Sequence, residues 1–181
     1  MPASKRLFVG LGLPRSCKVA LLALNPHLCG LRWVPEEHLH LTLSFLGDVQ
    51  ADAEERLRRA LSEVRVPPFL LPLSGVGVFR SRERPSVVWA GVGKGHPHLF
   101  ALHRHIQDAV LHAGLDADLK PFHPHVTVGR AKGLSMEMLR PFLQSHADSE
   151  FGIFRVTGFE LYSSVLAPEG ASHRLEMRHD F

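Results

Sequence analysis

The stretch HLHLTLSFL, residues 38–46, has a close parallel in FHPHVTVGR, residues 122–130, and this pair indicates the fold. Each stretch carries the triplet His-x-Thr, beginning at His40 in the first copy and at His125 in the second. Apolar residues alternate with the polar ones in both copies, which is the pattern of a half-buried β-strand. The sequence therefore predicts two similar strands that each carry a histidine and a threonine.

Side-chain alternation predicts which residues of each strand share a face. In the first copy His40, Thr42 and Ser44 are expected on one face, opposite the leucines and Phe45 on the core face. The same alternation in the second copy sets its histidine beside Thr127. A strand whose rear face is packed in a core holds such side chains rigidly, as a catalytic site requires.

The two motifs belong to a longer repeat. Four predicted elements recur in the same order, and their equivalent residues are Leu7 and Val87, His40 and His125, Asp52 and Ser135, and Phe69 and Phe151, at separations of 80, 85, 83 and 82 residues. Such constant spacing indicates an internal duplication. We expect one domain over residues 1–181, built from repeats at about 5–80 and 86–181, whose halves face each other across a cleft.

Helical spacing of apolar residues predicts helices between these strands. The first helix is expected to open at Pro14, the second (51–64) to carry Asp52 and Glu55 as a capping box, and a fourth to begin near Ser135. The third is expected to bury a stripe of apolar residues and to end at Gly114; the stripe consists of Leu99, Leu102, Ile106 and Val110. The segment 68–79 reads as extended chain.

Composition narrows the class of protein. Of 181 residues, 45% are hydrophobic and 22% charged, which is ordinary for a globular protein, and the net charge of +3 permits binding to RNA without requiring it. Cys17 and Cys29 are too few for a disulfide framework or a four-thiolate metal site. No apolar run is long enough for a membrane span, and the N-terminus lacks the apolar core of a signal peptide. We expect a cytoplasmic monomer.

The residue types of the two motifs suit displacement at phosphorus. One neutral imidazole can take a proton from water, while one imidazolium gives a proton to the leaving oxygen. Threonine hydroxyls can donate to the non-bridging phosphate oxygens as negative charge builds up on them. This chemistry needs neither a metal nor a cofactor, and the symmetry of the motifs leaves open which histidine is the acid.

The stretches HLTLSFLG and FHPHVTVGR together resemble the paired signature of the 2H phosphoesterases, and within them the RNA 2′,3′-cyclic phosphodiesterases, also called LigT or 2′-5′ RNA ligases. This resemblance extends over nearly the whole chain, including LFVGLGLP and VVWAGV. It implies an α+β fold with two lobes, in which antiparallel sheets face a central cleft and the helices lie outside.

The resemblance also implies roles for individual residues. His40 would be the general acid, His125 the general base, and Thr42 and Thr127 the groups that hold the phosphate. The expected substrates are RNA with 2′,3′-cyclic phosphate ends, or cyclic nucleotides, and the expected products are 2′-phosphomonoesters. A minor 2′-5′ ligation of RNA ends is implied as well.

Arg130 is a further candidate for substrate binding, because a guanidinium can hold a phosphate with two hydrogen bonds. Its position five residues beyond His125 would place it on the core face of a regular strand. Reaching the cleft requires a β-bulge, for which Gly129 is a plausible place.

Two other functions stay open at this stage. A protein that binds RNA ends without hydrolysing them could use the same residues. A metal-dependent hydrolase could use the His-x-His pairs, His38 with His40 and His123 with His125, as zinc ligands, although no cysteine or carboxylate recurs with them.

Other residues could contact RNA. Trp33, Phe45 and Trp89 could stack on bases, but burial is the commoner fate of aromatic residues, and Phe45 is predicted on the core face. A basic stretch at residues 80–84, with Arg80, Arg82 and Arg84, could contact phosphates by charge.

Overall fold

A computed structural model describes residues 4–93, 95–118, 120–167 and 170–181. The strands in these ranges are β1 (Ser4–Gly12), β2 (Leu31–Trp33), β3 (His40–Gln50), β4 (Phe69–Ser74), β5 (Val76–Ser81), β6 (Arg84–Gly91), β7 (His125–Ala131), β8 (Glu150–Val156), β9 (Gly158–Ala167) and β10 (Gly170–Asp180). The helices are α1 (Arg15–Leu22), α2 (Ala51–Ser62), α3 (Pro97–His112) and α4 (Met136–Ser145). No helix in the described ranges is both long enough and apolar enough to cross a membrane.

The main sheet has the strand order β10-β9-β1-β3-β7-β6-β5, and β2 pairs with β7 outside this order. Strands β4 and β8 form a separate two-stranded sheet. Paired neighbours are antiparallel. The predicted α+β class with antiparallel sheets is confirmed.

The two halves of the main sheet join between β3 and β7, the two strands that carry His-x-Thr. Leu41 pairs with Val126 at this joint, and both side chains are fully buried. Replacing a buried leucine with alanine typically costs about 2–5 kcal/mol. The packing that holds the two motifs together is therefore part of the core.

The strand order is symmetric about this joint. Reading outward from the centre, β3 and β7 are followed by β1 and β6, and then by β9 and β5. Strand β5 lies at the end of the first half in sequence but pairs with β6 of the second half. In return, β9 of the second half pairs with β1 of the first. This exchange is what two related halves packed about a twofold axis would show. It supports the internal duplication, which stays a prediction.

The core lies between the sheet and the helices. On α3 the predicted apolar stripe of Leu99, Leu102, Ile106 and Val110 is fully buried. At the start of α4 the Ser135 hydroxyl accepts from a backbone N–H, as a helix cap does. Helices α2 and α3 contact β3 on the face that carries its buried leucines. The opposite face of the sheet is thus left for a site.

The predicted capping box of α2 is wrong. The helix begins at Ala51, and Gln50 precedes it without a side-chain cap. Asp52 lies inside the first turn, where its carboxylate accepts a hydrogen bond from Arg56 Nη1 at 2.9 Å. An aspartate in the first turn still favours the helix through its charge, but it does not cap it.

The extended segment 68–79 is two strands rather than one. Gly75 adopts φ of 71°, a conformation that favours glycine, and it separates β4 from β5. The break sends β4 to the small sheet with β8 and β5 to the edge of the main sheet.

Candidate active site

A cleft of about 550 Å³ lies over the joint between β3 and β7. Four of the five predicted site residues line it, namely His40, Thr42, Thr127 and Arg130. His125 lies next to these residues, because the antiparallel register that pairs Leu41 with Val126 sets it across from Thr42. The same register sets His40 across from Thr127. The two motifs therefore meet in one place, with each histidine beside the threonine of the other copy.

His40 and His125 each make an equivalent hydrogen bond to a backbone carbonyl oxygen. Nδ1 of His40 lies 2.7 Å from the carbonyl oxygen of His38, and Nδ1 of His125 lies 2.7 Å from that of His123. A carbonyl oxygen can only accept, so each Nδ1 must carry the hydrogen. Nε2 of each ring is then left for a ligand. It accepts a proton when the ring is neutral and donates one when the ring is charged.

This bond explains the two His-x-His pairs without a metal. The first histidine of each pair contributes its backbone carbonyl, which fixes the orientation of the second ring. His38 ends a short 3₁₀ helix, Glu36–His38, and therefore does not continue the strand face of His40. Among the described residues, no group of three or more His, Cys, Asp or Glu side chains is arranged to hold a metal ion.

A β-bulge in β3 reverses the predicted faces after Thr42. Val9 pairs with Ser44 and Gly10 pairs with Thr42, so that Leu43 is the extra residue. Ser44 is consequently buried on the helix side, where its hydroxyl accepts a hydrogen bond from Gln107 at 3.2 Å. The prediction that Ser44 shares the face of His40 is wrong.

The same bulge brings Phe45 into the cleft. Its side chain is 62% exposed and lines the cleft, with its ring centroid 6.1 Å from that of Phe8. The predicted place of Phe45 on the core face is therefore wrong as well. Strict alternation fails here because one inserted residue moves the side chains that follow it to the other face, until a second shift in register between Phe45 and Gly47 restores the alternation.

A matching bulge in β7 brings Arg130 to the cleft. Val88 pairs with Gly129 and Trp89 pairs with Thr127, so that Val128 is the extra residue. Arg130 then lies on the same side as the threonine and lines the cleft. The bulge required by the sequence is present, next to Gly129. Phe45 and Arg130, each five residues beyond the histidine of its motif, therefore occupy equivalent positions.

Burial keeps the His40 ring neutral in the free protein. Burial lowers the pKa of His40 from 6.5 to about 4, against the opposing effect of its hydrogen bond to the His38 carbonyl. Positive charge on His173, His38 and His125 contributes to the same lowering of the pKa and is included in this value. The ring of Phe8 stacks on His40 with centroids 4.8 Å apart, and that of His173 meets it edge-on at 5.3 Å.

His125 has different neighbours. Phe79 meets its ring edge-on with centroids 4.9 Å apart, and Trp89 lies 6.3 Å away. Burial lowers the pKa of His125, its bond to the His123 carbonyl opposes this, and charge on His123 lowers it further. Both imidazoles are thus neutral bases at neutral pH until a negative charge enters the cleft.

Some of the aromatic and basic residues that the sequence suggested as RNA contacts line the cleft, and others lie outside it. Trp33 lines the cleft, and its Nε1 donates to the Leu21 carbonyl at 3.2 Å. Trp89 lines a different pocket, beside His123. The basic residues at 80–84 lie in and around the turn between β5 and β6 and do not line the cleft.

Several residues of the cleft were not singled out from the sequence. Arg6 and Phe8 of β1 and His173 of β10 line it. The two β1 residues alternate along KRLFVG, so a signal for a common face was present. His173 gave no such signal, because β10 has no counterpart in the first half of the chain.

Comparisons with known proteins identify the family of this chain. A sequence model of the 2′-5′ RNA ligase superfamily matches residues 22–166. A protein named RNA 2′,3′-cyclic phosphodiesterase from Archaeoglobus fulgidus is 33% identical over 172 residues, which cover 93% of this chain and 96% of that protein. A protein of the same name from Escherichia coli is 32% identical over 160 residues, covering 85% and 88%.

Solved structures show the same fold. The crystal structure of E. coli LigT complexed with 3′-AMP superposes with a TM-score of 0.82 at 27% sequence identity and covers 99% of both chains. The chain belongs to the 2′-5′ RNA ligase superfamily, within the 2H phosphoesterases that its paired His-x-Thr strands resemble.

Proposed function

We propose that this protein hydrolyses the 2′,3′-cyclic phosphate ends of RNA to 2′-phosphomonoesters. One observation carries the proposal: two imidazoles on neighbouring strands, each with Nδ1 bound to a backbone carbonyl, lie across from the threonines of a cleft that His40, Thr42 and Thr127 line. Relatives named RNA 2′,3′-cyclic phosphodiesterase support it, and so does the nucleoside monophosphate bound to E. coli LigT.

The proposed reaction is an in-line displacement at phosphorus. Nε2 of neutral His125 takes a proton from water as the water oxygen bonds to phosphorus. The bond from phosphorus to O3′ breaks, and Nε2–H of charged His40 gives its proton to that oxygen. The phosphate is left on O2′. Each acid-base partner contributes roughly 10²- to 10⁴-fold to the rate.

The hydroxyls of Thr42 and Thr127 donate hydrogen bonds to the non-bridging oxygens in this proposal. Negative charge grows on these oxygens as the fifth bond to phosphorus forms, so donors fixed on packed strands stabilise the transition state more than the ground state. Each threonine follows a buried leucine or valine whose packing fixes the backbone.

Assigning His40 as the acid and His125 as the base follows the family resemblance, because the two rings are held alike. The pKa of about 4 for His40 describes the protein without an anion. A cyclic phosphate between the rings favours their charged forms and so raises both pKa values. With the substrate bound, His40 would thus take up from the solvent the proton that it gives to the leaving oxygen.

Arg130 and Phe45 give the substrate an orientation. A guanidinium in the cleft suits the phosphate, and an exposed aromatic ring in the cleft suits the terminal base. This arrangement turns O3′ toward one histidine and the attacking water toward the other. When the 5′-hydroxyl of a second RNA replaces water, the same step forms a 2′-5′ linkage, a minor activity because water is in large excess.

The deciding experiment uses RNA with a 2′,3′-cyclic end and separates 2′- from 3′-phosphate products. We expect the 2′-phosphate alone, and the same rate in EDTA, since the proposed steps use only side chains. A 3′-phosphate product, or loss of the rate in EDTA that Zn²⁺ restores, would contradict the proposed chemistry. Tight binding without any product would instead identify an RNA-end binding protein.

Two further expectations belong to this proposal. The protein is expected to act as a cytoplasmic monomer, in keeping with a buried Cys17 and an exposed Cys29 that form no disulfide. Light scattering after gel filtration and fractionation of the source cells test them.

A further inference from the structure

A row of three polar residues crosses the cleft side of the main sheet beyond His40. Arg6 of β1 pairs with Ser164 of β9, and Ser164 pairs with His173 of β10. Residues that pair across antiparallel strands point to the same face of the sheet, and all three line the cleft. We call these three residues the β10 strip.

The β10 strip carries the positive charge of Arg6 at one end, and His173 at the other end becomes positively charged when it is protonated. In the described part of the chain no salt bridge involves Arg6. The charged groups that act on His173 are His38 and Arg130, both of which disfavour its protonation. His173 also meets the rings of His38 and His40 at centroid distances of 5.0 and 5.3 Å. The groups that act on His173 are thus basic, and Arg6 forms no salt bridge with its cross-strand neighbour Asp48 among the described residues, so an anion bound to the strip would be stabilised.

The buried Nδ1 of His173 has no partner among the described residues. A ligand can therefore reach this ring through Nε2, which donates when it carries the hydrogen. The residues proposed for the reacting phosphate do not need this donor.

We propose that the β10 strip binds the phosphodiester chain of the RNA on the 5′ side of the cyclic end, so that the protein prefers an oligonucleotide to a 2′,3′-cyclic mononucleotide. The inference rests on the function proposed above and names its substrate class. A guanidinium, a hydroxyl and an imidazole donor are the groups with which proteins hold nucleic-acid backbones irrespective of sequence.

The size of the strip suits this use. Neighbouring strands lie about 4.8 Å apart, so three strands carry donors over roughly 10 Å from His173 to Arg6. This length exceeds that of one phosphate group. The strip begins at His173 on the edge strand β10, whose ring lies beside that of His40, and runs across β9 to Arg6 on β1. A mononucleotide that fills the reaction site has no phosphate left to place on it.

The test compares kcat/KM for a tetranucleotide with a 2′,3′-cyclic end and for 2′,3′-cyclic AMP. We expect the wild-type protein to favour the tetranucleotide by at least tenfold. Arg6→Gln and His173→Gln are expected to lower this ratio severalfold each, and Arg6→Lys is expected to retain most of it. For the tetranucleotide, the slope of log(kcat/KM) against log[salt] is expected to become less negative by about 0.7 in Arg6→Gln.

Matched controls come from exposed residues of α3. Arg104→Gln and His112→Gln remove the same charges outside the cleft and are expected to keep the ratio. A wild-type ratio near one overturns the inference. So does an equal loss on both substrates in Arg6→Gln and His173→Gln, since that result indicates a structural role or an effect on His40.

A binding measurement separates this inference from the proposed function. Fluorescence anisotropy with a labelled tetranucleotide that ends in a 2′-phosphate needs no turnover. If the wild-type protein hydrolyses neither substrate, the proposed function fails, while weaker binding by Arg6→Gln than by Arg104→Gln still supports the strip. Equal binding by the two variants overturns it.

Discussion

The two His-x-Thr strands, β3 and β7, hold their histidines alike and surround them differently. Each ring has Nδ1 bound 2.7 Å from the carbonyl two residues earlier, and each strand has a bulge after its threonine. The residue that each bulge turns into the cleft differs, however: it is Phe45 on one side and Arg130 on the other. Shared backbone geometry thus gives both rings the same chemical capacity, and the flanking side chains give them different surroundings.

The two histidine rings also have different neighbours. His40 lies beside His38, His173 and the stacked ring of Phe8, whereas His125 lies against Phe79. Strand β10, which brings His173, has no equivalent in the first half of the chain. Elements outside the repeated motif therefore add to the difference between the two rings that the proposed acid and base roles require.

Removing either ring is expected to have the largest effect. His40→Ala and His125→Ala should each lower kcat on RNA with a cyclic end by about 10²- to 10⁴-fold. The double variant should lose much less than the product of the two, because both residues act in one step. His112→Ala, on the exposed end of α3, is the control. Near-normal kcat in either single variant would break the equivalence of the two strands.

The threonines come next in size. Thr42→Val and Thr127→Val keep a β-branched side chain and remove only the donor, so each should lower kcat by about 10²- to 10³-fold, as the loss of one transition-state donor does. Measured by single-turnover kinetics, the two losses should agree within severalfold. A large loss in one variant alone would show that the phosphate is held by one strand only.

Substitutions at the two bulge residues should affect different parts of the substrate. Arg130→Gln is expected to weaken every phosphate substrate by roughly 10- to 100-fold in KM, since it removes a charge-assisted bond. Phe45→Leu should raise KM by about 5- to 100-fold for nucleotides, through lost stacking. A ribose 2′,3′-cyclic phosphate that lacks a base separates the two: only Arg130→Gln should affect it. Equal effects of both variants on the baseless substrate would contradict the assignment.

The smallest effect is a change in titration. Because burial depresses the pKa of His40 to about 4, its ring should stay neutral from neutral pH down to about that value in the free protein. Inorganic phosphate in the cleft favours the charged ring, so it should raise this pKa toward or above 6.5. NMR of the imidazole C–H signals from pH 3.5 to 9, with and without phosphate, measures it. A pKa near 6.5 without phosphate, or one that phosphate does not change, would show that the ring is not buried in an anion site.

The amino-acid sequence by itself indicated the repeat, the strands and the four polar residues of the motifs. These features are local: alternation along a strand, apolar spacing along a helix, and recurrence at constant separation can be read from neighbouring residues. The apolar stripe of α3 and the beginning of α4 near Ser135 were predicted for this reason and are confirmed. Arg130 was a partial success, because the need for a bulge could be stated and its place suggested.

Only the tertiary structure decided the rest. The bulge at Leu43, which buries Ser44 and exposes Phe45, arises from how β3 pairs with β1, and pairing between strands about 35 residues apart leaves no local pattern. His173 reaches the cleft because β10 pairs with β9 at one particular register. A one-residue change in register moves a side chain to the opposite face, so which residues meet in the cleft depends on contacts that the sequence does not specify locally.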